Sequence, residues 1–156
     1  MAIIPAIIMI KDSKGNLIEG LRDNGGISLY EFQLGADFCG GREEQQLQSA
    51  IKLSSVKIVK QTDRVTPRLY SIGYNNERIN QIVIKLYRIN KGFEEEYLNY
   101  ILEDCRIVSI RNFISFNYMG FEDIRRMEEV NLTIKHFSCV YLSENSMFTT
   151  SSNETT

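Results

Sequence analysis

"FEEEYLNYILEDCRIVSI", residues 93–110, decides the fold, and its residues support two incompatible readings. As a helix, Glu94, Glu95 and Glu96 sit at the positive end of the peptide dipole. Leu98, Ile101, Leu102, Cys105 and Val108 then form one apolar stripe at helical spacing. As a strand, the β-branched end "RIVSI" sets the conformation, and nothing marks a break between the two halves. Periodicity alone leaves both readings open.

The segments around it read as strands. "INQIVIKLYRI" (79–89) places Ile82, Ile84 and Leu86 on one face and Gln81, Lys85 and Tyr87 on the other. "NKG" (90–92) predicts a hairpin turn into residue 93. "ISLYEF" (27–32) alternates, "IKLSSVKIVK" (51–60) has strand composition, and "RNFISFNYMG" (111–120) is strand-like. "FEDIRRMEE" (121–129) reads as a polar connection to a last strand, "VNLTIKHFSCVYL" (130–142). The apolar parity of that strand changes at Lys135-His136, which predicts a β-bulge. Gly15-Asn16 and "DNGG" (23–26) predict tight turns, the first joining two strands. One short helix is predicted at 66–73, with Thr66 as cap, Pro67 at the first helical position and Gly73 as the stop. Residues 34–50 lack periodicity and predict a long functional loop. Residues 143–156, mostly Ser, Thr, Asn and Glu, predict a loose tail. The outline is an all-β barrel or sandwich with one short helix.

Composition narrows the function. A chain of 156 residues fits one domain with a real core. A formal net charge of −2 gives no basic footprint for nucleic acid. The apolar opening "MAIIPAIIMI" is too short to span a bilayer and lacks a charged region before it or a cleavage pattern after it. It reads as a first strand, with no membrane insertion and no signal peptide. Cys39, Cys105 and Cys139 form no CxxC pair, and their odd number predicts reduced thiols.

No motif carries chemistry. His136 is the only histidine, so a metal site lacks partners. No GxSxG elbow, phosphate loop or HExxH helix is present. Glu103 and Asp104 point to opposite faces if the segment is a strand, which argues against an enzyme built from them and His136. Glu94–Glu96 reads as a solvated run, and Tyr70, Tyr74 and Tyr87 read as packing residues. "NLT" (131–133) and "NET" (153–155) match a glycosylation pattern but lack a secretory context. The chain predicts no catalytic residue, no cofactor and no metal.

The run 60–110, "KQTDRVTPRLYSIGYNNERINQIVIKLYRINKGFEEEYLNYILEDCRIVSI", resembles the Hcp family, the tube proteins of bacterial type VI secretion. Its landmarks are Lys60, Asp63, "TPRLY" (66–70), a glycine at the helix end, and the hairpin leading into "EYLNYILEDCRIVSI". "MAIIPAIIMIKDSKGNLIEG", "ISLYEFQLG" and "EEVNLTIKHFSCVYL" resemble the family's first, second and last strands, so the likeness spans residues 1–142. It implies a mainly β fold: a compact barrel of two antiparallel sheets with one short helix (about 66–73) packed on its side. It places 93–110 in a sheet and makes 34–50 an extended loop.

The resemblance further implies a structural subunit, not an enzyme. Six copies close into a ring, and rings stack into a tube that a sheath and baseplate expel with a spike protein at the tip. Small effector proteins travel in the channel. The protein would start in the bacterial cytoplasm and leave by this route. Phe38, Cys39, Gly40, Gly41, Arg42, Glu43 and Glu44 are the implied subunit- and ring-stacking contacts, although "GADFCGGREEQQLQSA" does not match the family residue by residue. Gln33 falls where the resemblance places a channel-facing side chain. A monomeric ligand-binding β-barrel and a contractile phage tail tube are the alternative readings.

Overall fold

The computed structural model describes residues 6–20, 23–38, 51–115 and 125–150. In chain order they form β1 (Ala6–Lys11), β2 (Ile27–Gln33), β3 (Ala36–Phe38), β4 (Ile51–Leu53) and β5 (Val56–Gln61). Helix α1 (Thr66–Tyr74) follows, then β6 (Ile79–Asn90), β7 (Phe93–Ser115), β8 (Arg125–Thr133), β9 (His136–Tyr141) and β10 (Ser146–Thr149). The ambiguous segment therefore lies wholly inside one 23-residue strand. Lys91 and Gly92, with φ of 55° and 83°, make the tight turn that feeds it.

β7 belongs to two sheets. Its first half pairs with β6 and with β9, and its second half, from Arg106 onward, pairs with β8. The order β10-β9-β7-β6-β1-β2-β5-β8 closes when β8 returns to β7, giving an antiparallel barrel of two sheets.

The turn from one sheet to the other explains the helical look of the sequence. Asp104 sits at the corner with φ of 60°, in the left-handed region. Tyr100 and Leu102 face the core before it, Cys105 and Ile107 after it. Val108 is then an extra residue at a bulge between Ile107 and Ser109, 63% exposed, so Ile110 is the next to face inward. Inward steps of two and three residues imitate a helical stripe on an extended chain. Across the ladder, β6 makes the same step of three from Ile82 to Ile79, which pair with Leu102 and Cys105. Both strands bend at one rung.

Asp104 tolerates its conformation because a short polar side chain does so better than a β-branched one. Its contacts with Arg78 (3.8 Å) and Lys135 (3.9 Å) are long and half-exposed, so they contribute little. Asp104→Val should therefore lower stability by about 1–2 kcal/mol, while Asp104→Gly should stay within ~0.5 kcal/mol of wild type. Urea unfolding of both variants checks this; equal losses would mean that the carboxylate contacts matter more than the backbone.

The core is aliphatic and laddered. Ile8, Ile84 and Tyr100 form one row across β1, β6 and β7, and Ile10, Ile82 and Leu102 form the next. Ile8, Ile82, Ile84 and Leu102 are fully buried, each contributing roughly 1.5–3 kcal/mol by leaving water. Leu69 and Ile72 of α1 add to the same core.

Several expectations change in detail. Thr66 does not cap the helix, because Val65 occupies the cap position without a side-chain bond. Instead, the Thr66 hydroxyl accepts from the Asp63 N–H at 3.0 Å. Gly73 does not stop the helix either. It lies inside, where an added Cβ would stand 3.4 Å from Ile107, and Asn76 (φ 52°) makes the reversal. After the turn at Gly15, Leu17 makes an isolated bridge to Lys11, and among the described residues up to 20 no strand follows it.

At Lys135-His136 there is no bulge within one strand. β8 ends at Thr133 and β9 begins at His136 in the other sheet, matching the bend of β7. The polar stretch read as a connection is in part strand, since β8 begins at Arg125. Part of the stretch read as a tail is ordered, because β10 pairs with β9 and the Thr150 hydroxyl accepts from the Phe137 N–H at 3.1 Å. The loop at 34–50 opens as a hairpin arm, in which β3 pairs with β4. The Ser54 N–H donates to the Gly35 carbonyl at 2.9 Å across the arm's root.

Candidate functional site

The barrel presents exposed apolar side chains and open clefts among its described residues. Among the described residues no group of three or more His, Cys, Asp or Glu side chains is placed to hold a metal. Glu103 and His136 are cross-strand neighbours between β7 and β9. Asp104 instead faces Arg78 and Lys135 at the corner. Burial raises the Cys139 thiol above its ordinary range and pushes Cys105 up to about 12, so neither is a thiolate nucleophile at neutral pH. Glu95 is held below the usual carboxylate range by the Asn90 amide first and the Arg88 guanidinium second. Arg88 also lies 5.0 Å above the Tyr97 ring, a cation–π contact that stiffens the hairpin end.

Among the described residues, the exposed large apolar side chains other than Phe38 lie in two regions. Tyr70 and Tyr74 are exposed on α1, which packs against β7, and Val108, Phe113 and Ile114 are exposed on the second half of β7, the last two on opposite faces of the strand. Ile89 and Phe93 flank the β6–β7 turn, and Met147 and Phe148 lie on the edge strand β10 of the same sheet. The two regions thus sit at opposite halves of β7. Tyr87 belongs to β6 and does not share the helix with Tyr70 and Tyr74.

The arm supplies a third feature. Phe38 at the end of β3 is 74% exposed. Gln33 is exposed at the end of β2 and borders an open cleft of about 490 Å³ with Phe32, Leu34, Gly35, Ser54, Ser55 and Tyr100. Cys39, Gly40, Gly41, Arg42, Glu43 and Glu44 lie outside the described residues.

Sequence reading missed a buried polar network beneath the first apolar region. Lys60 on β5 and Glu128 on β8 are 1% and 0% exposed and meet at 2.6 Å. The ammonium also donates to Asp63 Oδ1 and to the Gln61 carbonyl, both at 2.9 Å, so its three protons are all used. Glu128 additionally accepts from the Thr66 hydroxyl at 3.0 Å and from Asn112 Nδ2 at 3.2 Å. Asn112 Oδ1 in turn accepts from the Tyr70 hydroxyl at the surface. Lys60 and Glu128 are 68 positions apart, and "MEEV" gives no hint that one of its two glutamates turns inward.

A family model described as "Type VI secretion system effector, Hcp" matches residues 8–141. A search of curated proteins returned no match. Among solved structures, Hcp1 of the E. coli EAEC 042 pathovar superposes with a TM-score of 0.79 at 21% identity, covering 95% of this chain and 98% of that one. Secreted protein Hcp3 of Pseudomonas aeruginosa gives 0.75 at 19%, covering 94% and 96%. Hcp1 of Flavobacterium johnsoniae gives 0.60 at 10%, covering 92% and 98%. At such identities the superpositions show the shared fold, and the sequence match over most of the chain shows the kinship. The chain belongs to the Hcp family of the type VI secretion system.

Proposed function

We propose that this protein is the subunit of the secretion tube. Six copies close into a ring, and rings stack into a tube carrying small effectors and tipped by a spike, which the sheath expels. The observation that carries this reading is the set of exposed apolar side chains at both halves of β7. A ring joins its members by heterologous contacts, in which one patch meets a different patch on the neighbour. Exposed apolar clusters on a folded chain mark interaction surfaces of that kind.

The arm completes the assembly. Phe38, together with Cys39, Gly40, Gly41, Arg42, Glu43 and Glu44, forms the stacking contact between subunits and rings. Gln33, exposed at the arm's root, faces the channel. The Gly35–Ser54 bond indicates how to test this, because those two residues already lie at turn distance. Replacing residues 36–53 by a short Gly-Ser turn should leave a folded subunit with an unchanged melting temperature and abolish tubes in negative-stain images. Tubes of normal length from that variant would remove the arm from the stacking contact.

A further inference from the structure

We propose that the buried Lys60–Glu128 pair is a positioning device for assembly: it fixes the orientation of α1 and its exposed tyrosines on the barrel for docking to a second copy. The inference rests on the ring reading above and names the residues that prepare one of its two faces.

Stability alone does not call for this pair. Removing two charges from water costs about as much as their attraction returns, and apolar replacements of similar volume are commonly neutral or stabilising. What the pair supplies is direction. Leu69 and Ile72 bury the helix by contacts that tolerate small rotations, whereas hydrogen bonds to fixed oxygens do not. Those bonds join β5 through Lys60, β8 through Glu128, the helix start through Asp63 and Thr66, and β7 through Asn112.

The network also reaches the surface. Asn112 spends its amide donor on Glu128 and its carbonyl on Tyr70. Thr62, whose hydroxyl lies 3.4 Å from Glu128, and Asn112 line the same open cleft as Phe113 and Ile114. The wall of an exposed apolar cleft is thus hydrogen-bonded to a fully buried carboxylate. A helix held this way presents Tyr70 and Tyr74 in one orientation in every copy, which a closed six-membered ring requires.

The test is the double variant Lys60→Met/Glu128→Leu, compared with Tyr70→Phe, which removes only the outermost hydroxyl. The double variant should keep a melting temperature within a few degrees of wild type. Its amide hydrogen exchange over 66–74 should quicken, and its ring association should weaken at least tenfold in sedimentation velocity. Tyr70→Phe should keep wild-type stability and weaken association about threefold to tenfold. Wild-type association in both variants would overturn the proposal, as would unchanged exchange over 66–74 in the double variant. Wild-type protein that forms no ring in the same assay would instead sink the ring reading. The exchange measurement still decides whether the pair holds the helix.

Discussion

Glu128→Gln should destabilise the fold by about 3–5 kcal/mol, a loss characteristic of stripping a buried charge of its partner. The amide keeps one acceptor oxygen, and whichever way it turns its N–H group faces donors: the Lys60 ammonium on one side, or the Thr66 hydroxyl and the Asn112 amide on the other. With the N–H group toward Lys60, the ammonium keeps only Asp63 and the Gln61 carbonyl. In a domain of this size such a loss lowers the melting temperature by roughly 6–20 °C. The exposed pair Lys57–Glu31, at 3.2 Å, is the internal control. Lys57→Met should cost no more than ~1 kcal/mol, because half-exposed ion pairs contribute little. Equal losses for the two variants, by thermal melts or denaturant titration, would contradict the view that burial decides their weight. The contrast with the double apolar variant completes the argument: losing one charge is costly, losing both is not.

The second large effect concerns association. Phe93→Lys and Ile114→Glu alter one exposed apolar group each, and both side chains are exposed, so folding should change by no more than ~0.5 kcal/mol. A charge placed in a central interface position costs on the order of 3 kcal/mol, equivalent to about a hundredfold weaker contact. Each variant alone should therefore sediment as a monomer. Mixed together they should form dimers and nothing larger, because each contributes the intact patch that the other lacks. An isologous interface predicts no such complementation. Rings from either variant alone would remove that patch from the contact.

Most of the barrel was legible because its strands alternate. Ile82, Ile84 and Leu86 on β6, and Ile27 and Leu29 on β2, point as their parity requires. The short helix was legible from Pro67, with its ends placed to within one residue, but the roles of its terminal residues were not. Local rules assign Thr66 and Gly73 to helix termini, whereas tertiary contacts with Glu128 and Ile107 take both residues. β7 defeated periodicity because one strand serves two sheets, and the corner at Asp104 converts a period of two into steps of two and three. The same corner misled the reading of Lys135-His136, where a change of sheet looks like a bulge.

The candidate surfaces were less legible than the fold. Exposed Tyr74 and Phe93 are indistinguishable in sequence from core aromatics, and only the closed barrel shows which rings are left outside. The Lys60–Glu128 network was hidden for a different reason. Charged residues read as solvated unless a partner is known, and here the partner lies on a neighbouring strand that is 68 positions away in sequence. The resemblance marked Lys60 and Asp63 as landmarks without giving them a task, and the geometry supplies one.

The most direct test is the mass and shape of the purified protein, measured together by light scattering coupled to gel filtration and by negative-stain imaging. The account predicts particles of about six times the 18.0 kDa chain, seen end-on as six-fold rings with an open centre. A stable 18.0 kDa monomer across the concentration range in which the rings should form would contradict it.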